Sequence, residues 1–249
     1  MKRFLVLTKA MFLIHLRNRA ALFWNLAFPI FVLVIYSQVF GQNTVGEADY
    51  MSWAVPGMMV YNMLSFGLLS SGTIMIQMRE KGILQRLQAS PMPAGQLIGS
   101  YLLVNLAIGC LQAALILGFS ALAFQMQLTV AGILRAVPMM LIGIVTFVAL
   151  GQVVSGVSPT MGAAMIIGQL LNFGQMFITD LVMPIDMMPD GIQKVAPYLP
   201  GYAVAQLVRP PLAGGTYSPE LWPNLLVAGL YAVVAGVAAA KLFRWAPRS

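Results

Sequence analysis

Residues 136–179 read AVPMMLIGIVTFVALGQVVSGVSPTMGAAMIIGQLLNFGQMFIT, forty-four positions between Arg135 and Asp180 without one charged side chain. A helix needs about 20 apolar residues to cross the hydrocarbon core of a bilayer. This stretch is therefore long enough for two crossings and a connection. Ser158-Pro159 supplies the connection, because proline lacks the N–H that would continue a helix and holds the residue before it in extended backbone. The prediction is a helical hairpin with spans at about 136–156 and 160–180.

The same test works outward in both directions. Twenty-seven uncharged residues lie between Arg19 and Glu47, twenty-nine between Asp49 and Arg79, forty-eight between Arg86 and Arg135, and twenty between Glu220 and Lys241. They predict spans at about 21–40, 54–77, 97–124 and 221–240. The expected fold is thus an all-α membrane protein, a single transmembrane domain over 1–249 with six spans. Composition agrees: 59% of the residues are hydrophobic and 8% are charged, against about 25% charged in a soluble domain. Mean hydropathy is +0.83. A chain with so few polar groups has no means of covering a water-facing surface.

Charge sets the expected orientation. With six spans, Lys2, Arg3, Lys9, Arg17, Arg19, Arg79, Lys81, Arg86, Lys241, Arg244 and Arg248 share one side, and Arg135, Lys194 and Arg209 the other. Cytoplasmic segments carry the excess of Lys and Arg, so both termini are expected inside. A count of five or seven spans would put the basic C-terminal tail outside. The net charge of +7 accordingly reads as cytoplasmic loops facing anionic lipid. No basic stretch is interleaved with aromatics, and nucleic acid is excluded as a partner. The apolar stretch 4–14 is broken by Lys9 and has no small-residue cleavage site, so it is not expected to be a signal peptide. Instead 2–18 reads as a helix lying along the inner interface, with Phe4, Leu7, Met11 and Ile14 on its apolar arc and Val6 and Leu13 among the charges. His15 reads as an interfacial residue.

Two connecting segments do more than connect. In the loop 79–96, Arg79, Glu80, Lys81 and Arg86 are charged while Ile83, Leu84 and Leu87 share one helical face. Pro91 and Pro93 stop that helix. A short amphipathic helix is predicted there, and its apolar face calls for a partner or a membrane surface. The segment 181–220 holds seven prolines from Pro184 to Pro219 and is still rich in apolar residues. Non-helical backbone at membrane depth is tolerated where protein or a wet cavity covers it. It reads as an outer re-entrant pair of short helices at about 190–196 and 201–209, within 184–210.

Several chemistries are missing from the sequence. No lysine is followed by Ser or Thr, so a phosphate-binding GxxxxGK[ST] loop is absent, as are GxSxG and HExxH. One Cys (Cys110) and one His exclude an internal disulfide and a Cys/His metal site. No acid paired with a base is visible within the spans. The intramembrane polar groups are neutral: Asn62, Ser65, Ser70, Ser71, Thr73 and Gln77 in the second span, Asn105 and Gln112 in the third, Gln152 in the fourth, and Gln169, Asn172 and Gln175 in the fifth. The Gln169–Asn172–Gln175 stripe suits interhelical hydrogen bonds or substrate contact. Ala228, Ala232, Gly236 and Ala240 form a small-residue stripe suited to close helix packing.

The order and spacing of these features resemble the membrane subunits of type-2 ABC exporters. These permeases of drug, antibiotic, polysaccharide and lipid exporters are related to the G subfamily of eukaryotic ABC transporters. The resemblance covers the whole chain. It runs through the basic first helix ending near Arg19, Phe28-Pro29, Arg79-Glu80-Lys81-Gly82-Ile83-Leu84-Gln85-Arg86-Leu87, Ser90-Pro91, Pro184, Met188-Pro189, Pro197, Pro200-Gly201-Tyr202-Ala203-Val204 and Arg209. It implies that 79–89 is a coupling helix docking on a separate ATPase subunit present in two copies, which holds ATP and Mg. It also implies a second copy of this chain and a substrate pathway between the copies, lined by Asn62, Met63, Phe66, Gln169, Asn172, Gln175, Met176 and Asp180. The chain departs from the family's pattern at Asp180, where similar proteins carry a small residue such as glycine. The expected function is the permease subunit of an exporter in a bacterial plasma membrane, with hydrolysis left to the partner. Self-sufficient secondary transport, a channel and a polysaccharide cargo remain as alternatives.

Overall fold

A computed structural model gives the fold for residues 2–17, 19–41, 44–45, 48–88, 94–214 and 216–243. Among the described residues, six helical runs are long and apolar enough to cross a membrane: Phe23–Phe40, Tyr50–Glu80, Gln96–Ala123, Val130–Val157, Met161–Ile178 and Leu221–Leu242. The protein is an all-α, six-span membrane protein. Before them lies α1 (Lys2–Arg17), and α2 (Arg19–Phe40) carries the first span. Two-residue strands, β1 (Thr44–Val45) and β2 (Ala48–Asp49), pair antiparallel ahead of the second span.

The second span is the axis of the bundle. It consists of α3 (Tyr50–Ser65), a π-helical turn (Phe66–Ser71) and α4 (Gly72–Glu80), and most of its residues are buried. Asp49 starts it, its carboxylate accepting a hydrogen bond from the Met51 amide at 3.2 Å. Around this axis stand α6 (Ala94–Ala123), α7 (Val130–Val157) and α8 (Met161–Ile178); α11 (Leu221–Leu242) packs on α7. Glycine decides the crossing of the second span and α7. A Cβ on Gly72 would come within 2.7 Å of the Gly151 carbonyl oxygen, one on Gly67 within 2.6 Å of the Phe147 oxygen, and one on Gly151 would overlap the Gly67 oxygen. The two backbones touch, which is how membrane helices gain packing energy where lipid is as apolar as leucine.

Two sequence expectations change. In α1 the buried arc is Met11 and His15 with half-buried Phe4 and Leu7, while Ile14 is exposed. The arc follows i+4 steps at its end, and neutral imidazole tolerates burial because its Nδ1 is hydrogen-bonded to the Met11 carbonyl at 3.0 Å. The ring sits 6.3 Å from that of Phe66, and burial pushes the imidazole below its ordinary pKa, the Met11 bond opposing. His15 is thus a core residue and not an interfacial one. In α11, Ala228 and Ala235 are buried, but Ala232, Gly236 and Ala240 border an apolar cavity also walled by α6 and α7.

The proline-rich segment folds into a chain of short helices. After α8 come a 3-10 turn (Ile185–Met187), α9 (Asp190–Val195), a second 3-10 turn (Ala196–Tyr198) and α10 (Pro200–Gly214). The last helix runs on through Pro210 and Pro211, beyond the 209 expected from the sequence. Its Gly201, Ala203, Val204, Ala205, Leu207 and Val208 are buried, and it packs on α3, α7 and α11. Burial on three neighbours outweighs the weak helix propensity of a Pro-Pro pair.

Candidate functional site

Three places along the second span bring the sequence-predicted residues into contact: its Glu80 end, a groove at mid-length, and its Tyr50 end.

At the Glu80 end two successive side chains reach opposite ways. Arg79 is 4% exposed and donates from Nη2 to the Ser158 carbonyl at 2.9 Å and from Nη1 to the Ser155 carbonyl at 3.4 Å. Glu80 Oε1 accepts from the Met161 amide at 3.2 Å. Arginine thus meets the C-terminal carbonyls of α7, and glutamate meets the N-terminal amides of α8. Each charge faces the helix pole of opposite sign. The connection between the fourth and fifth spans is therefore clamped by the last turn of the second. Gly82, with φ of +67°, then reverses the chain into α5 (Ile83–Gln88), a left-handed conformation that favours glycine.

Part of the expected docking segment is turned into the core. Leu84 is 0% exposed and packs into the chain's own core, and Arg79 is turned inward. Lys81, Gln85 and Arg86 are exposed, Ile83 is half-buried, and the Leu87 side chain, Pro91 and Pro93 lie outside the described residues. A six-residue helix needs tertiary packing to persist, and Leu84 supplies it. Arg79→Leu is expected to leave the α7 carbonyls unpaired and to cost about 1–3 kcal/mol. Thermal unfolding of the detergent-solubilised protein would show it as a lowered midpoint.

At mid-length a groove opens between α2 and α8, floored by the second span. Asn25, Phe28, Tyr61, Asn62, Gln169 and Asn172 are among its lining residues. The Asn172 amide donates to the Tyr61 hydroxyl at 3.1 Å, the Asn25 amide donates to Ser70 Oγ at 3.0 Å, and the Asn62 amide donates to the Asn25 carbonyl. Asn172 Oδ1 is buried without a hydrogen-bond partner among the described residues. The flanks are exposed and aromatic: Trp24 and Phe28 on α2, Phe173 on α8.

Of the sequence-predicted pathway residues, Asn62, Gln169 and Asn172 meet in this groove. Met63 and Phe66 are buried in the core instead, Phe66 against His15. Met176 is half-buried against the core. Gln175 Oε1 accepts from the Gly201 amide at 2.8 Å and so ties α8 to α10. Asn25, Trp24 and Tyr61 went unnoticed in the sequence, and Phe28 was singled out only with Pro29 for the resemblance. Asn25 carried a signal, an amide inside the first apolar span, of the kind that singled out Asn62.

At the Tyr50 end the fold makes a buried ion pair that the sequence did not reveal. Asp180 and Arg209 are 3% and 7% exposed. Arg209 Nη1 bonds the Asp180 carboxylate, Nη2 the Asp180 carbonyl, and Nε donates to the Trp53 carbonyl at 3.2 Å. The guanidinium also lies 4.6 Å over the Trp53 ring. Gln206 donates to the same carboxylate at 2.9 Å, and the Ile185 amide donates to it at 3.3 Å. Burial pushes the Asp180 carboxyl above its ordinary value, and the Arg209 guanidinium pulls against that. Asp180 is therefore neither a water-exposed carboxylate nor a free group lining the groove. A Cβ on Gly57 would overlap the Leu181 carbonyl, so α3 and the Asp180 turn also meet backbone to backbone.

The family model described as ABC-2 type transporter matches residues 2–210. The chain belongs to the ABC-2 type transporter family. Among its relatives is YvfS of Bacillus subtilis (strain 168), named as a transport permease, 23% identical over 219 residues that cover 87% of this chain and 86% of the relative. This ABC-2 permease is a multi-pass membrane protein and a transport subunit of an ABC transporter. The family implies an ATP-binding subunit as its partner.

Proposed function

We propose that this permease is an exporter subunit that works as a pair of copies driven by two separate ATPase subunits, which bind ATP and Mg. One observation carries the reading. The groove between α2 and α8 has an amide-lined floor and aromatic flanks, and it opens on the face where those two helices are most exposed. A second copy placed against that face would complete a pathway. Its few hydrogen-bonding groups and absence of charge among the lining residues suit a drug, antibiotic or lipid-like compound. The excess of Lys and Arg supports a cytoplasmic Glu80 end and cytoplasmic termini in a bacterial plasma membrane. In that orientation α1 lies at the inner interface, α9 and α10 form an outer re-entrant cap, and Lys81, Gln85 and Arg86 face the ATPase. The Arg79–Glu80 clamp would carry motion of α5 to the fourth and fifth spans.

Purification of the tagged permease from its native membrane tests this. A soluble ATPase is expected to accompany the wild type and to be lost from a Gln85→Asp, Arg86→Glu variant that still elutes as a single folded species. Recovery of well-folded wild type without any ATPase would sink the exporter reading in favour of self-sufficient transport.

A further inference from the structure

We propose that Asp180 and Arg209 are positioning residues of the release step. They form a latch that holds the fifth span, α10 and the second span together at the outer end of the groove, and the releasing state has the latch parted. The inference rests on the export reading above.

Few side chains of α8 are buried in the bundle. Only Ala164, Gly168 and Asn172 are buried among its described residues, so it lacks the interdigitated apolar face of a core helix. Its attachments are a close approach of Gly168 to Leu68 and Leu69 and a row of polar joints: Glu80 to the Met161 amide, Asn172 to Tyr61, Gln175 to the Gly201 amide, and just past its end Asp180 to Arg209. Tightly packed cores move between discrete arrangements. Hydrogen-bonded joints can be exchanged for water at a small net loss each. A span with so little apolar interlocking can shift relative to the rest of its own copy once its joints are exchanged.

The ion pair is the strongest joint in the row and the one nearest the exit. A buried pair gains little stability over apolar side chains of the same volume, so stability alone does not account for it. It joins three elements that no apolar contact at this point would join so specifically: the turn after α8, α10 through Arg209 and Gln206, and α3 through the Trp53 carbonyl and ring. Water admitted from the outer side would rehydrate both charges, which removes the penalty that keeps them together. The first joint in the row lies beside α5, so displacement of α8 at Glu80 is delivered to the latch along one rigid helix.

The test uses thiol accessibility behind the latch. Thr179 is fully buried, and Thr179→Cys in a Cys110→Ser background places one reporter there. A membrane-impermeant maleimide is added from outside to proteoliposomes of the permease with its co-purified ATPase. Labelling is expected to be slow at rest and about tenfold or more faster when the ATPase is trapped with ATP and vanadate, the factor that a shift of about 1.4 kcal/mol gives. Asp180→Asn should label fast without nucleotide, and Asp180→Glu, which keeps the charge, should label slowly. A pair that only stabilises the fold would leave wild-type labelling indifferent to nucleotide, and that result would overturn the latch. Should no ATPase associate, the export reading fails by itself. The resting comparison still decides the seal, since equally slow labelling of wild type and Asp180→Asn refutes it.

Discussion

Replacing Arg209 by alanine is expected to lower the stability of the solubilised permease by about 3–5 kcal/mol, the cost of leaving a buried charge without its partner. Asp180 is held in a dry site with its carboxylate facing the vacated space, and its remaining donors are the Gln206 amide and the Ile185 amide. Arg209 also closes the Trp53 carbonyl and covers the Trp53 ring, so the truncation leaves a cavity as well as a charge. The double replacement Asp180→Leu, Arg209→Met should behave very differently and remain within about 1 kcal/mol of wild type or above it, because both desolvation costs vanish together. Denaturant or thermal unfolding of the three proteins would measure the contrast. A small effect of Arg209→Ala would mean that water already reaches the pair.

The second large effect is expected at the crossing of the second and fourth spans. Gly151→Leu places a side chain where the Gly67 carbonyl now lies, and the Gly72 contact with Gly151 leaves no room to slide along the helix. Overpacking typically costs about 1–3 kcal/mol, and here the obstacle is backbone on both sides. A loss of about 3 kcal/mol or more is expected, seen as a collapse in the yield of monodisperse protein. Gly118→Leu is the control, since a Cβ there meets nothing within 4 Å. Similar losses for both variants would show that the crossing is not glycine-limited.

Much of the fold was legible in the sequence because crossing a bilayer is a local requirement. Each uncharged run had to satisfy its backbone internally, and length with hydropathy was enough to find six helices. The candidate site was legible in part. Amides in apolar spans pointed to Asn62, Gln169 and Asn172, which meet in the groove, and the same rule extended to the first span would have added Asn25. Met63 and Phe66, expected along the pathway, are buried in the core, because nothing in a buried helix's own sequence says which neighbour each face will meet. Leu84 is a similar case: an apolar stripe looks alike whether its cover is a partner protein or the chain itself.

What the sequence determined by itself is therefore the class of the molecule, its six spans, the expected orientation from Lys and Arg, and the absence of an ATP-binding loop. These follow from composition over short windows, where each residue's transfer from water to lipid contributes almost independently of the rest. The tertiary structure alone decided the clamp of Arg79 and Glu80 on the α7–α8 connection, the Gly67–Gly151 contact and the ion pair of Asp180 with Arg209, 29 residues apart. Such contacts depend on helix rotation and crossing, which are set by how whole surfaces fit, and no local window contains that information.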